Sequence, residues 1–404
     1  MADWVETQPA GDVDKSWQQC SLSDSGYVAA ITYANQYDSI YVSTDNCETW
    51  SLKTITTGNV LRATDAVVSG DGTAIFVGSY QSNGRLWYSD DVGETWSELR
   101  PEGDLDRAWK YLCINEDGSI LMAWCDTSGK LWRSEDSGAN WSDVTPAAIS
   151  DALGVSMSGD GVYVAVGNNA AGGLLVVSGD GGSTWTSRTA GDAGTIPLLS
   201  SDGSVLLCSC DVTTESLLRS IDYGANWTDI TPGYEVEPNY FQKVSCNSEG
   251  SVILCTAYGG DSRTNLSYDS GDSWEDTDLG YGSHAVNSDG EVLLYGHWGG
   301  RVYVVHDPVV DMTGSVSAAM PTLSGLGTVT VTGTGAVSAA MPMLDGVGFR
   351  GAAGVVYGVG SVRAAMPTLD GVGGHLIPQE MALDQRLTKA RLIQWLGKTK
   401  LYGG

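Results

Sequence analysis

Seven times along the chain a short polar turn is followed by an apolar run. SDSGYVAAI begins at Ser23, SGDGTAIFV at Ser69, NEDGSILMA at Asn115 and SGDGVYVAV at Ser158. SDGSVLLCS begins at Ser201, NSEGSVILC at Asn247 and SDGEVLLYG at Ser288. Each run is too brief for a helix and is bounded by Gly and Asp, so it predicts a buried strand entered through a tight turn. Between these runs lies a second recurring stretch. STDNCETW ends at Trp50, SDDVGETW at Trp96, SEDSGANW at Trp141, SGDGGSTW at Trp185, SIDYGANW at Trp227 and SYDSGDSW at Trp274. The residue types suit a hairpin turn: Ser and Asp oxygens accept backbone N–H groups nearby, and Gly takes a positive φ at no steric cost. The Trp then opens the next strand and buries a large ring under the turn.

The N-terminal ADWVETQPAG resembles ANWSDVTPAA after Gly138 and ANWTDITPGY after Gly224, which puts Trp4 at the Trp position. Trp4, Trp50, Trp96, Trp141, Trp185, Trp227 and Trp274 then recur every 42 to 47 residues. Such a period fits a repeat of four short strands.

These octapeptides resemble the Asp-box (BNR) repeat, whose family includes sialidases, sortilin-type receptors, some endoglucanases and photosystem assembly factors. The resemblance implies an all-β, seven-bladed β-propeller over residues 1–312. Its last blade would take three strands from about His284 to His306 and its fourth from the residues around Trp4. It also implies structural rather than catalytic roles for Asp45, Asp91, Asp136, Asp180, Asp222 and Asp269 and for the six tryptophans that end the motifs. In this family function sits in the loops at one mouth of the axis. Here those loops carry Trp17, Tyr33, Arg62, Tyr80, Arg107, Trp109, Trp124, Tyr240, Tyr258, His284, His297 and Trp298. Aromatic faces there would stack on sugar rings; the competing expectation is that several pack between blades.

The sialidase relatives raise an enzyme reading. That chemistry needs three arginines meeting a substrate carboxylate, a Tyr activated by a Glu, and an Asp acid/base. No Arg-Ile-Pro occurs in the chain, and Arg133 and Arg219 directly precede octapeptides at the rim. Arg62, Arg107, Arg263 and Arg301 remain as axial candidates, with no Tyr–Glu couple beside them. A non-catalytic ring is therefore expected. A sialidase-like or other glycan-active hydrolase is the alternative, and a cellular assembly scaffold a further one.

Charge narrows the partners. The formal net charge is −28. Residues 1–312 hold 14 Lys and Arg against 45 Asp and Glu, whereas residues 313–404 hold 7 against 4. An acidic ring is a poor nucleic-acid binder. Its Asp-rich turns invite calcium, but none spells an EF-hand loop, so no metal or cofactor is expected. No apolar run is long enough to span a bilayer. MADWVETQPA lacks a basic patch followed by an apolar stretch, so no signal peptide is expected. Of the eight cysteines, Cys20, Cys113 and Cys246 stand at equivalent points of the repeat, as do Cys125, Cys210 and Cys255. Equivalent positions in different blades cannot easily pair, which predicts buried thiols and a reducing compartment.

After Pro308 the character changes. GSVSAAMPTLSGLG, GAVSAAMPMLDGVG and GSVRAAMPTLDGVG place Met320, Met341 and Met366 at equivalent points of a Gly-rich β repeat over residues 313–375. Its small side chains offer too little bulk for a free-standing core. Residues 376–404 predict a short amphipathic helix with Leu387, Leu392 and Trp395 as anchoring residues and Arg386, Lys389 and Arg391 for charge. The SAAMPTL copies resemble low-complexity modules of bacteriophage structural proteins. That resemblance implies a virion protein, folded in the host cytoplasm and released by lysis. It would be held on the particle by residues 313–404 against other virion proteins, as a homo-oligomer, with the ring displayed toward a host-surface glycan or a protein.

Overall fold

A computed structural model of the 404-residue chain describes residues 4–34, 39–55, 62–81, 83–169, 172–191, 194–210, 216–233, 240–258 and 262–306, with four short strands beyond. The chain divides into two compact units, Met1–Pro308 and Val309–Gly404. Among the described residues all regular structure is β and there is no helix.

In the first unit the strands assemble in antiparallel quartets laid out in chain order. Five are separate four-stranded sheets, the first of them Asp65–Val68, Ile75–Gly78, Leu86–Ser89 and Ser97–Leu99. Two more are joined into one eight-stranded sheet where Lys15–Leu22 pairs with Val292–Gly300. One of these, counted here as the first quartet, is Lys15–Leu22, Ala29–Tyr33, Ser39–Ser43 and Ser51–Thr54. The other, the seventh, is Gly282–Val286, Val292–Gly300, Val302–His306 and, from the far end of the chain, Val5–Thr7. Val5 lies opposite Val304 and Thr7 opposite Val302.

The second strand of each quartet is the apolar run that the sequence marks, and in most quartets it is fully buried, as in Leu121–Cys125 and Leu206–Cys210. Such strands carry apolar side chains on both faces because each quartet is covered by a neighbour on each side. Seven clusters of buried side chains result, each bridging two consecutive quartets. The cluster of Trp17, Ile31, Leu294 and Val302 joins the seventh quartet to the first, so the series closes on itself. Trp50, Trp96, Trp141, Trp185, Trp227 and Trp274 each pack on a different one of these clusters, and Trp4 on the remaining one.

The octapeptides fold alike. In the first, Ser43 Oγ donates to Asp45 Oδ1 (2.9 Å) and accepts the Cys47 N–H (3.0 Å). The two Asp45 oxygens then take the N–H and hydroxyl of Thr49. The same contacts recur around Asp91, Asp136, Asp180, Asp222 and Asp269. Hydrogen bonds from the side chain and N–H of residue 184 or 226 pull the Asp180 and Asp222 carboxyls down to about 2. These carboxylates are spent on their own turns.

The turns between first and second strands clasp one another. The Asp24 N–H donates to Gly70 O, Asp71 to Glu116 O, Glu116 to Gly159 O and Gly159 to Ser201 O. Asp202 donates to Ser248 O, Ser248 to Ser288 O, and Ser288 back to Asp24 O.

All eight cysteines are free, and all but Cys246 are buried. In the second unit Val337–Ala339 pairs with Gly354–Val356, and Phe349–Arg350 with Thr368–Leu369. The expected anchors Met320, Met341, Met366, Leu387, Leu392 and Trp395, and the expected C-terminal helix, lie outside the described residues. Among the described residues no helix is long and apolar enough to cross a membrane.

Candidate ligand-binding site

Antiparallel alternation sorts the loops of each quartet to two ends. The turns after first strands and the octapeptides after third strands share one end; the links after second and fourth strands share the other. Tyr33 and Tyr258 close second strands, Tyr80 follows one, and Trp109 and Tyr240 open first strands. His297 and Trp298 lie late in Val292–Gly300. All therefore belong to the end opposite the octapeptides. The side chain of Tyr240 lies outside the described set.

At that end the aromatic residues divide. Trp17, Trp109 and Trp124 are 1%, 3% and 1% exposed, so they present no face to a ligand. Trp17 stands edge-on to Tyr33 and Tyr41 at 5.6 and 5.9 Å and donates its indole N–H to Gly300 O. Trp109 and Trp124 belong to the clusters on either side of the third quartet. These three belong to the core, where a large ring buries the most apolar area. His284 is also buried. Its Nδ1 meets Ser245 Oγ at 2.6 Å, its Nε2 has no partner, and burial followed by the charge of Lys243 lowers its pKa to about 3.

Three other groups are open to solvent. Tyr258 (50% exposed) and Trp298 (46%) flank Tyr281: the Tyr258–Tyr281 ring centroids are 5.1 Å apart and the Tyr281–Trp298 centroids 5.9 Å. The Trp298 N–H is tied to Tyr281 O, which fixes the two segments together. Between the second and third quartets, Lys110 Nζ sits 4.1 Å over the Tyr80 ring and 3.0 Å from Asp126. Burial works to lower the Lys110 pKa, but hydrogen bonds to Asp126 and Tyr80 outweigh it and hold the ammonium charged. Lys15 Nζ lies 4.7 Å over Tyr33. His297 is half-buried beside Tyr295. The Tyr258–Tyr281–Trp298 patch includes Tyr281, which lies just before a first strand and carries no motif of its own.

Among the described residues Arg107, Arg301, Arg263 and Arg133 are each held by partners of their own. Arg107 Nε donates to Glu102 at 2.6 Å, and Glu102 is held in turn by Ser128 and by the Trp132 indole N–H. Arg301 is paired with Asp12 and Asp14, and Arg263 with Asp276 at 2.9 Å. Arg133 reaches Gly161 O and Glu135 near its octapeptide. Arg62 is half-buried.

Farther along the innermost strands the sequence reading missed a polar group. Lys243 Nζ donates to Gln19 Oε1 across 2.9 Å. The Leu112 N–H donates to Asp65 Oδ2, while Asp65 Oδ1 is buried without a partner and burial raises that carboxyl. Residues 19 and 243 are 224 positions apart, a separation that no local pattern encodes. Among the described residues no cluster of His, Cys, Asp and Glu could hold a metal ion.

No known protein family and no curated protein matches the sequence. Solved structures do match. The chain is similar to the GH74 xyloglucanase of Xanthomonas campestris at 15% identity and TM-score 0.60, over 76% of this chain and 54% of that one. It is similar to YCF48 bound to D1 peptide at 14% identity and TM-score 0.56, over 78% and 97%. It is also similar to YCF48 from Cyanidioschyzon merolae at 13% and 0.55, over 76% and 99%. The chain spans about half the length of the xyloglucanase. At such identities the likeness speaks to architecture: this chain is a β-propeller.

Proposed function

We propose that the chain is a non-catalytic binding protein: a seven-bladed propeller, closed by its N-terminal strand, whose mouth holds a glycan by aromatic stacking. The observation that carries this reading is the open patch of Tyr258, Tyr281 and Trp298. Rings exposed to water offer apolar faces that match the C–H faces of a pyranose, at little entropic cost because each ring is braced by the next. A hydrolase reading finds less support. Arg107, Arg263 and Arg301 are already neutralised by carboxylates of their own chain, and the motif carboxylates are engaged in turns. The likeness to a xyloglucanase is one of fold.

The tail's repeats support a setting on a particle. Residues 313–404, with their repeated SAAMP segments and small positive balance, would attach the ring to a virion in symmetric copies. Binding to immobilised glycans tests the mouth. The full chain should retain at least one glycan without releasing product, and Tyr258→Ala with Trp298→Ala should weaken retention at least about tenfold. Product release, or retention unchanged in the double variant, refutes the reading. Immunogold labelling of particles with antibody to residues 1–312 tests the setting, and unlabelled virions overturn it.

A further inference from the structure

A second cleft lies on the flank of the ring, between the fifth and sixth quartets. It encloses about 550 Å³, within the range of small-molecule sites. Trp274, Asn265, Arg263 and Asp276 line it from the sixth quartet and Asp229 and Thr231 from the fifth.

The repeat itself explains why the cleft is there. Two residues before the octapeptide Ser, the other quartets carry Tyr41, Trp87, Trp132, Val176 or Leu218; the sixth carries Asn265. In the third quartet Trp132 is flanked by an ion pair, Lys130 with Asp143 at 2.8 Å, and Lys130 lies 5.4 Å over the indole ring. Asp143 stands opposite Trp132 in the ladder. The sixth quartet keeps both charges, Arg263 with Asp276 at 2.9 Å, and Asp276 stands opposite Asn265. What it lacks is the ring between them. The second quartet shows the same frame, Arg85 with Glu98 beside Trp87. Asn265, 3% exposed, is the smaller residue at the floor of the cleft, and the charged pair stands at its border.

We infer that this flank cleft binds a pyranose. Its base is the half-buried Trp274, whose indole N–H is anchored on Ile230 O at 2.8 Å so that the ring is held in place. Around it stand carboxylate, guanidinium, hydroxyl and amide groups, the donor and acceptor types that hydroxyls on a ring edge require. A purely apolar ring would leave Asp229 and Asp276 facing carbon, which disfavours an aromatic ligand. The inference stands apart from the mouth: the cleft is lined by the third and fourth strands of the sixth quartet and by the fifth quartet, Tyr258 ends the second strand of the sixth, and the inference holds if the mouth binds nothing.

The test is saturation-transfer NMR on the full chain, with methyl β-glucopyranoside, methyl β-galactopyranoside, methyl α-mannopyranoside and N-acetylglucosamine as probes. At least one should bind with a Kd on the order of 1 mM, as expected of a ligand so small. Asn265→Trp, which restores the ring of the second and third quartets, should weaken binding at least about tenfold. Asp276→Ala should weaken it as well, and it decides the matter if Asn265→Trp does not fold by circular dichroism. In Tyr258→Ala with Trp298→Ala the binding that Asp276→Ala weakens should persist. The inference is overturned if no probe binds, if Asp276→Ala binds like the parent chain, or if the mouth variant removes binding.

Discussion

The hydroxyl of Thr7 ties the N-terminal strand to the first quartet. It is buried, donates to Cys47 O at 2.7 Å and accepts the Trp50 indole N–H at 2.8 Å. Thr7→Val keeps the shape and removes both bonds. One buried carbonyl and one half-buried indole N–H lose their partner. At about 1–3 kcal/mol for an orphaned buried group, and less for the indole, the loss should total about 2–3 kcal/mol. For a domain of this size that lowers Tm by roughly 3–5 °C. Thr7→Ser retains the hydroxyl and loses one methyl, so it should cost about 1 kcal/mol. Differential scanning calorimetry of the three proteins, with matched scan rates, measures the difference. The reasoning fails if Thr7→Val melts with the parent chain, or if Thr7→Ser is the more damaging change.

Further outcomes follow from other sites. Gly138 has φ 90°, and a Cβ there would lie 2.6 Å from a Leu99 methyl, so Gly138→Ala should destabilise by about 2 kcal/mol or more, read as a lower urea midpoint. His284 has a folded pKa depressed to about 3 from 6.5, so the unfolded chain gains the proton first. Stability should fall as pH drops from 6.5 toward 3, and His284→Leu should flatten that part of the curve in urea titrations. Asp180 and Asp222 are depressed from 3.8 to about 2, so their contribution is complete above pH 3.8 and disappears as pH falls through 2. Burial pushes the Cys20 and Cys246 thiols up to about 12, so a thiol reagent at pH 8 should react slowly with native protein and count eight groups after unfolding.

Local chemistry made much of this architecture readable. The octapeptide announces itself because its Ser, Asp, Gly and Trp satisfy one another within eight positions, so the same contacts form wherever the pattern occurs. The turn before each apolar run is legible for the same reason. The mouth was only partly so. Trp109 and Tyr258 occupy comparable loop-end positions, yet one is core and the other open, because the neighbouring quartet decides which face is covered. The Lys243–Gln19 bond and the orphaned Asp65 oxygen arise only once distant first strands are brought side by side. The flank cleft is a different case. Its signal, Asn265 where other repeats carry bulk, was present in the sequence, but it acquires meaning only beside the ion pair that the second, third and sixth quartets share.

The seven turns that clasp one another form a circuit of backbone hydrogen bonds without a first or last member. A helix or a strand ladder has ends, and its amides exchange fastest there because opening can start with one bond. In a closed circuit every turn both donates and accepts, so freeing any one of them breaks two bonds. The amides of Asp24, Asp71, Glu116, Gly159, Asp202, Ser248 and Ser288 should therefore exchange with deuterium at similar, slow rates despite lying in surface turns. Cutting the chain at one of these turns would turn the circuit into a line and give it, for the first time, a place from which to fray.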